Sequence, residues 1–264
     1  MATVNSQRYV PQKDSLIFIQ HDRTLATALE ERLASERPWM LDTFKLSERA
    51  PNGCIPLASW SQPEKFSHLS HLYAEFLYHN HPNAQREAKP LQSLWAQWYF
   101  GLCVPPLMLA LLREERAIDC DPAFLHMEFH ETGRPQAFWW HVREDQAARY
   151  MGPVQRIDRL IQRHLMPVVD AIESHGEINA RLIWNNTGFL MHWFLGELTP
   201  QIGETLRVEL EHMLFFSSTL PDGGHNPLYR TVIPREGEMQ RRSCCQRYRI
   251  PDVERCGNCT LKPV

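Results

Sequence analysis

Apolar residues recur at three- and four-residue spacing over much of this chain. Leu25, Leu29 and Leu33 fall on one helical face, as do Phe66, Leu69, Leu72, Tyr73 and Phe76. Ile157, Leu160, Ile161, Leu165, Val168, Val169 and Ile172 carry the pattern to Gly176, a helix stop. Pro167 interrupts that run, and the missing N–H predicts a kink or a division into two helices. Two more helices are predicted over Gly188–Leu198 and Gly203–Phe216. The longest apolar run, Tyr99–Leu112, covers 14 residues and contains Pro105 and Pro106. A bilayer span needs about 20 residues, so this run predicts a buried helix.

The period changes in the middle. In FLHMEFHE, Leu125, Met127 and Phe129 alternate with His126, Glu128 and His130, which is the two-residue period of a strand. Thr132–Pro135 (TGRP) reads as a turn, and QAFWWHV resumes an extended, aromatic-rich run, so the two form a hairpin. A second hairpin is predicted from YRTVIP, a turn at Glu236-Gly237, and MQRRS, which leads into a cluster of cysteines. The fold class expected is α+β: a helix-rich single domain with a small antiparallel sheet. Residues 1–240 make the body, and residues 241–264 form a tail delivered by the last strand.

Composition adds limits. The 264 residues are 43% hydrophobic and 22% charged, with no internal repeat or low-complexity tract, which is ordinary globular material. A net charge of −3 argues against a dedicated nucleic-acid binder. The charge is uneven: residues 241–264 carry a local +4, leaving about −7 on the body. The first 14 residues lack the apolar core of a secretory signal. With 7 cysteines, an odd number, the expected setting is a reducing cytoplasm, where clustered cysteines more often hold metal than form disulfides.

Four of those cysteines, Cys244, Cys245, Cys256 and Cys259, lie within CCQRYRIPDVERCGNC. A bridge between the adjacent pair is disfavoured, because neighbouring Cα atoms are about 3.8 Å apart and a disulfide wants about 4.4–6.8 Å. Tetrahedral zinc sites usually employ two C-x2-C knuckles. Cys256-Gly257-Asn258-Cys259 is one such knuckle; Cys244-Cys245 is not, since successive side chains diverge and converge poorly on one ion. A [2Fe–2S] cluster spreads its four terminal positions over two metals and so offers a wider target. The adjacent pair favours the cluster, with zinc as the alternative.

The pattern C-C-x10-C-x2-C near the carboxyl end resembles the signature of the FhuF-type ferric-siderophore reductases. SLWAQWYFGLCVPPLMLALL, MEFHETGR, GEINARLIWNNTGFL, NPLYRTV and CCQRYRIPDVERCGNCTLK are similar to that family's segments in the same order, so the resemblance covers essentially the whole chain. It implies a cytoplasmic protein of hydroxamate siderophore uptake whose [2Fe–2S] cluster is ligated by Cys244, Cys245, Cys256 and Cys259. The expected activity is one-electron reduction of Fe(III) in the siderophore, releasing Fe(II). Hydroxamate oxygens are hard anionic donors that hold ferric iron far better than ferrous. No covalent intermediate or general base is required. The alternatives are a zinc-holding protein-interaction module and an iron–sulfur carrier serving another acceptor.

Other residues take their place around this reading. Arg241, Arg242, Arg247, Arg249 and Arg255 flank the cysteines and are expected to raise the cluster's potential or to dock an acidic donor; individually, each has an alternative as a carbonyl cap or a partner of Asp252 or Glu254. The chain has no G-x-G-x-x-G after a strand and no P-loop, so electrons are expected from a ferredoxin-like protein or a reduced flavin, with peripheral contact at the inner membrane left open. His126, Glu128 and His130 share a strand face, but the histidines would stand about 13 Å apart, too far for one ion; contact with the siderophore or a plain polar face is expected instead. Trp95, Trp98, Tyr99, Trp139, Trp140, Trp184, Asn185 and Asn186 are candidates for a siderophore pocket. Of all these, His126, His130, Trp139 and Trp184 are taken as substrate residues. Arg134 is expected to be structural, and Cys54, Cys103 and Cys120 are expected to be unliganded thiols.

Overall fold

The computed structural model describes residues 24–46, 50–257 and 259–261; the amino-terminal segment in which a signal was sought lies outside them. The first half runs α1 (Leu25–Glu36), β1 (Phe44–Leu46), α2 (Leu57–Trp60), α3 (Pro63–Leu77) and α4 (Ala88–Arg113). A hairpin of β2 (Leu125–Phe129) and β3 (Pro135–Trp140) follows, then α5 (Pro153–Leu160), α6 (Met166–Glu173), α7 (Ala180–Ile202) and α8 (Glu204–Glu211). A second hairpin, β4 (Val232–Arg235) and β5 (Glu238–Arg241), leads into the cysteine loop.

The long apolar run is the axis of the molecule. It lies inside α4, which is longer than predicted at 26 residues and is buried along most of its length. Among the described residues, α4 is the helix long and apolar enough to cross a membrane, and 72% of its most apolar stretch is buried within the fold. Pro105 and Pro106 continue the helix, although neither can donate to the carbonyls of Gly101 and Leu102 one turn earlier. Burial on all sides holds the helix together here despite that loss.

Pro167 is accommodated differently from the prediction. The run neither breaks nor divides: α5 passes into α6 through a π turn over Ile161–Leu165, where the Met166 N–H reaches back to the Ile161 carbonyl. A single widened turn just before the proline takes up the lost donor, which is a recognised way for a helix to absorb irregularity. The next helix, α7, starts at Ala180, eight residues ahead of the predicted start at Gly188, with the Asn179 side chain capping the Leu182 N–H.

Both predicted hairpins form, each antiparallel. The first gains a strand that the periodicity did not show, because β1 is only three residues long. It pairs parallel to β3, giving the order β1-β3-β2. At the turn, Gly133 adopts φ +80°, and a Cβ there would lie 2.3 Å from the Leu69 carbonyl oxygen, so the hairpin tip sits directly on α3. The inner face packs Phe138 against Tyr99 of α4, with ring centroids 5.1 Å apart. The second hairpin turns at Glu236-Gly237, both at positive φ, and lies against α7, where a Cβ on Gly188 would meet Thr231 Oγ1 at 2.2 Å. The last strand thus delivers the cysteine loop onto α4 and α7.

Candidate metal centre

The cysteine loop is held from below by polar side chains on two otherwise apolar helices. Ser93 of α4 donates to the Cys245 carbonyl at 2.8 Å and accepts from Asn186 of α7 at 3.1 Å. Asn185 donates to Ser243 at 2.8 Å. Asn186 also accepts from Arg241 Nη1 at 2.8 Å. Arg241, only 5% exposed, lays its guanidinium over Phe189 and donates from Nη2 to Cys256 Sγ at 3.1 Å. Its Nε–H has no protein acceptor. Asn185 and Asn186 are therefore supports of the loop. Their placement in an apolar helical segment was the available signal; Ser93 had none.

The local backbone lets two adjacent cysteines serve one site. Gln246 takes a left-handed conformation at φ 64° and donates its backbone N–H to Cys244 Sγ at 3.3 Å. That turn aims the chain away after Cys245, whose side chain is buried. Cys245 Sγ lies 3.9 Å from Cys256 Sγ. Cys259 is hydrogen-bonded to both Cys256 and Cys244. The sulfur contacts thus run in the order Cys244, Cys259, Cys256, Cys245. Two sulfurs on one tetrahedral metal with bonds of about 2.3 Å lie about 3.8 Å apart, so the Cys245–Cys256 separation suits a shared ion. Among the described residues no three His, Cys, Asp or Glu side chains converge on a single ion-sized point; the four sulfurs form an open array, the width of a two-metal centre.

The electrostatics agree. Burial raises the Cys244 and Cys256 thiols, and the neighbouring sulfurs push in the same direction. At Cys259 burial also works upward, but hydrogen bonds from the Leu261 N–H and from the Cys256 and Cys244 side chains outweigh it and hold this thiol low. Sulfurs this close cannot all ionise without cations between them. The donor set therefore fits a thiolate-bound cluster, with Arg241 and the Gln246 and Leu261 N–H groups as hydrogen-bond donors to sulfur.

The remaining arginines scatter. Arg247 caps the Glu254 carbonyl at 2.7 Å, Arg249 pairs with Glu87 and not with Asp252 or Glu254, and Arg255 lies over the Tyr248 ring. Arg242 lines a polar cleft of about 400 Å³ with Lys89, Arg181, Gln246 and Cys244. Of the five, Arg241 is the one bonded to a cysteine sulfur.

The expected substrate residues do not gather at the sulfurs. Trp184 is 7% exposed and belongs to the core, which corrects its assignment to a siderophore pocket. Trp95, Tyr99 and Trp140 are core as well, and Trp98 donates to the Tyr73 hydroxyl. On the first hairpin, Trp139 donates to Glu128, and His130 Nδ1 bonds to Thr132. His130, Glu128 and Trp139 line a cleft that includes no residue of 241–261. His126 stands opposite Trp139 in register, and burial holds its imidazole below the usual range. Arg134 stacks on Trp98, a structural role. Burial keeps Cys103 and Cys120 strongly protonated and raises Cys54 as well.

The sequence places these features among known proteins. Residues 93–239 match the family described as "Ferric iron reductase FhuF-like transporter", and residues 241–261 match the "FhuF 2Fe-2S C-terminal domain". The chain is similar to a protein of Escherichia coli (strain K12) named "Ferric siderophore reductase", at 49% identity over 259 residues, covering 97% of this chain and 99% of the relative. The chain belongs to the FhuF family and carries that family's [2Fe–2S] C-terminal domain.

Proposed function

We propose that this protein is a ferric-siderophore reductase acting in the cytoplasm, in which Cys244, Cys245, Cys256 and Cys259 hold the [2Fe–2S] cluster. The body, residues 1–240, positions the chelate, and the tail, residues 241–264, carries the redox centre. The observation that carries this reading is the open array of four sulfurs with a buried guanidinium bonded to one of them. When bound, the cluster supplies one electron at a time, which matches the step from Fe(III) to Fe(II). The chain's own residues do the rest: Ser93 and Asn186 fix the loop, and Arg241 and backbone N–H groups favour the more negative, reduced state. The substrate is a ferric hydroxamate. The electron donor is a separate acidic, ferredoxin-like protein docking at the Lys89–Arg181–Arg242 cleft beside Cys244, with a reduced flavin as the other source.

Anaerobic purification tests the centre: the protein should be reddish-brown, with two irons and two sulfides per chain, and a colourless zinc protein would refute the assignment. Mixing the dithionite-reduced protein with a ferric trihydroxamate should return the cluster absorbance to its oxidised form while Fe(II) is trapped by a ferrous chelator. Unchanged absorbance would leave an electron carrier for some other acceptor.

A further inference from the structure

On the Cys256 side of the sulfur array, α4 and α7 enclose a half-open cavity of about 250 Å³. Its walls are apolar, built from Phe100, Ile183, Phe189, Leu190 and Trp193, while Arg241 and Cys256 also line it. Trp193 stands 47% exposed, a large apolar side chain left in water where the core could have taken it. Gln97 and Asn186 add amides to the wall. Pro105 provides no N–H for the carbonyl of Gly101, another lining residue. The cleft on the opposite, Cys244 side is of different character, lined by Lys89, Arg181 and Arg242. The cluster ligands therefore lie between a basic face and an apolar one.

We propose that the apolar cavity recognises the ferric hydroxamate by taking one of its arms, with the chelated iron resting at the opening beside Cys256. The inference rests on the reading of the chain as a siderophore reductase and says where that substrate sits. Size favours an arm over the whole chelate, because drug-sized ligands occupy about 300–1,000 Å³ and this space is smaller. Chemistry favours a hydroxamate arm: its methylene spacer suits Phe100, Ile183, Leu190 and Trp193, and its coordinated oxygens carry the negative charge that the Arg241 guanidinium complements. Position favours it over the hairpin cleft of His130 and Trp139, which touches no part of the cysteine loop. The step at this site moves one electron and no atoms: the reduced cluster is oxidised by one electron as Fe(III) becomes Fe(II), and the hydroxamate oxygens then exchange off the weakened complex. Electrons thus arrive from the basic face and leave at the apolar one.

The test uses the full-length, cluster-loaded protein and gallium(III) desferrioxamine, a redox-inert linear trihydroxamate of the same charge as its ferric form. Calorimetric titration should show saturable binding. Trp193→Ala should raise the Kd by about tenfold or more, and KM for the ferric chelate should rise in parallel while kcat at saturation holds. Leu190→Trp, which fills the cavity without removing a wall, should weaken binding likewise, and Trp193→Phe should restore most of it. Unchanged cluster absorbance in each variant shows that the site is intact. Equal affinity in wild type and both disruptive variants overturns the proposal. So does a loss confined to His130→Ala, which would put the chelate in the hairpin cleft, and so does reduction by wild type with no measurable gallium-chelate binding. Failure of the wild type to reduce the ferric chelate at all would sink the reductase reading itself, a separate outcome.

Discussion

Arg241→Gln is the substitution with the most to say about the redox centre. The wild-type guanidinium is nearly solvent-free, fixed by Asn186 at 2.8 Å and 3.1 Å from Cys256 Sγ. An electron added to a metal behind that sulfur would lie about 5 Å from the positive charge, adding a metal–sulfur bond of about 2.3 Å to the contact. With an effective dielectric of about 20, a unit charge at that distance stabilises the electron by about 3 kcal/mol. One-electron couples move by about 59 mV per 1.4 kcal/mol, so losing the charge should lower the potential by on the order of 100 mV. The sign follows from charge alone: the reduced cluster is the more negative form, and Arg241 favours it. Lysine keeps the charge but not the planar fork that engages Asn186 and Cys256 together, so Arg241→Lys should fall between. The assay is an anaerobic potentiometric titration followed by electron paramagnetic resonance of the reduced state. The glutamine variant should be harder to reduce and, once reduced, the stronger reductant. A potential within about 20 mV of wild type, at full iron and sulfide content, would refute the electrostatic argument, since that is far below one tenfold step in equilibrium.

Three other outcomes follow from the geometry. Cys245→Ser should abolish or reshape the visible spectrum and the release of iron, whereas Cys103→Ser, a buried protonated thiol on α4, should leave the spectrum alone; equal damage from both would mean the ligand set is wrong. His164 is fully buried, donates from Nδ1 to the Cys120 carbonyl at 2.9 Å, and is depressed by burial to about 4. Below about pH 6.5 the unfolded chain binds this proton and the folded chain does not, so stability present above pH 6.5 is lost as pH falls toward 4, by about 3 kcal/mol in all. Chemical denaturation at a series of pH values should show a shallower acid slope for His164→Gln than for wild type, and matching slopes would refute the assignment. Gly188→Ala puts a methyl 2.2 Å from Thr231 Oγ1, and overpacking of this kind costs about 1–3 kcal/mol; an unchanged urea midpoint would show that β4 moves aside freely.

The parts of the molecule legible in the sequence are those in which one local signal decides the outcome. Helical spacing decided α1 and α3, strand alternation decided both hairpins, and cysteine spacing singled out the tail, because burying one face imposes a period that neighbours in sequence must share. The signals that failed are the ones that depend on partners distant in the chain. Three residues of β1 carry no period, and only β3 makes them a strand. Pro167 reads as a breaker until a π turn is available to absorb it. Trp184 reads equally well as pocket or core, and packing alone decides for core. The same limit explains the arginines. Five of them flank the cysteines in sequence, yet one reaches a sulfur, because β5 ends against α7 where Asn186 and Phe189 orient Arg241, while Arg247 and Arg249 find nearer partners in Glu254 and Glu87. Ser93 and Asn186, which hold the loop, lie 152 and 59 residues before Cys245, so no spacing rule applied to the tail could have named them. The ligands of such a centre are thus written locally, whereas its tuning is written in the helices on which it rests.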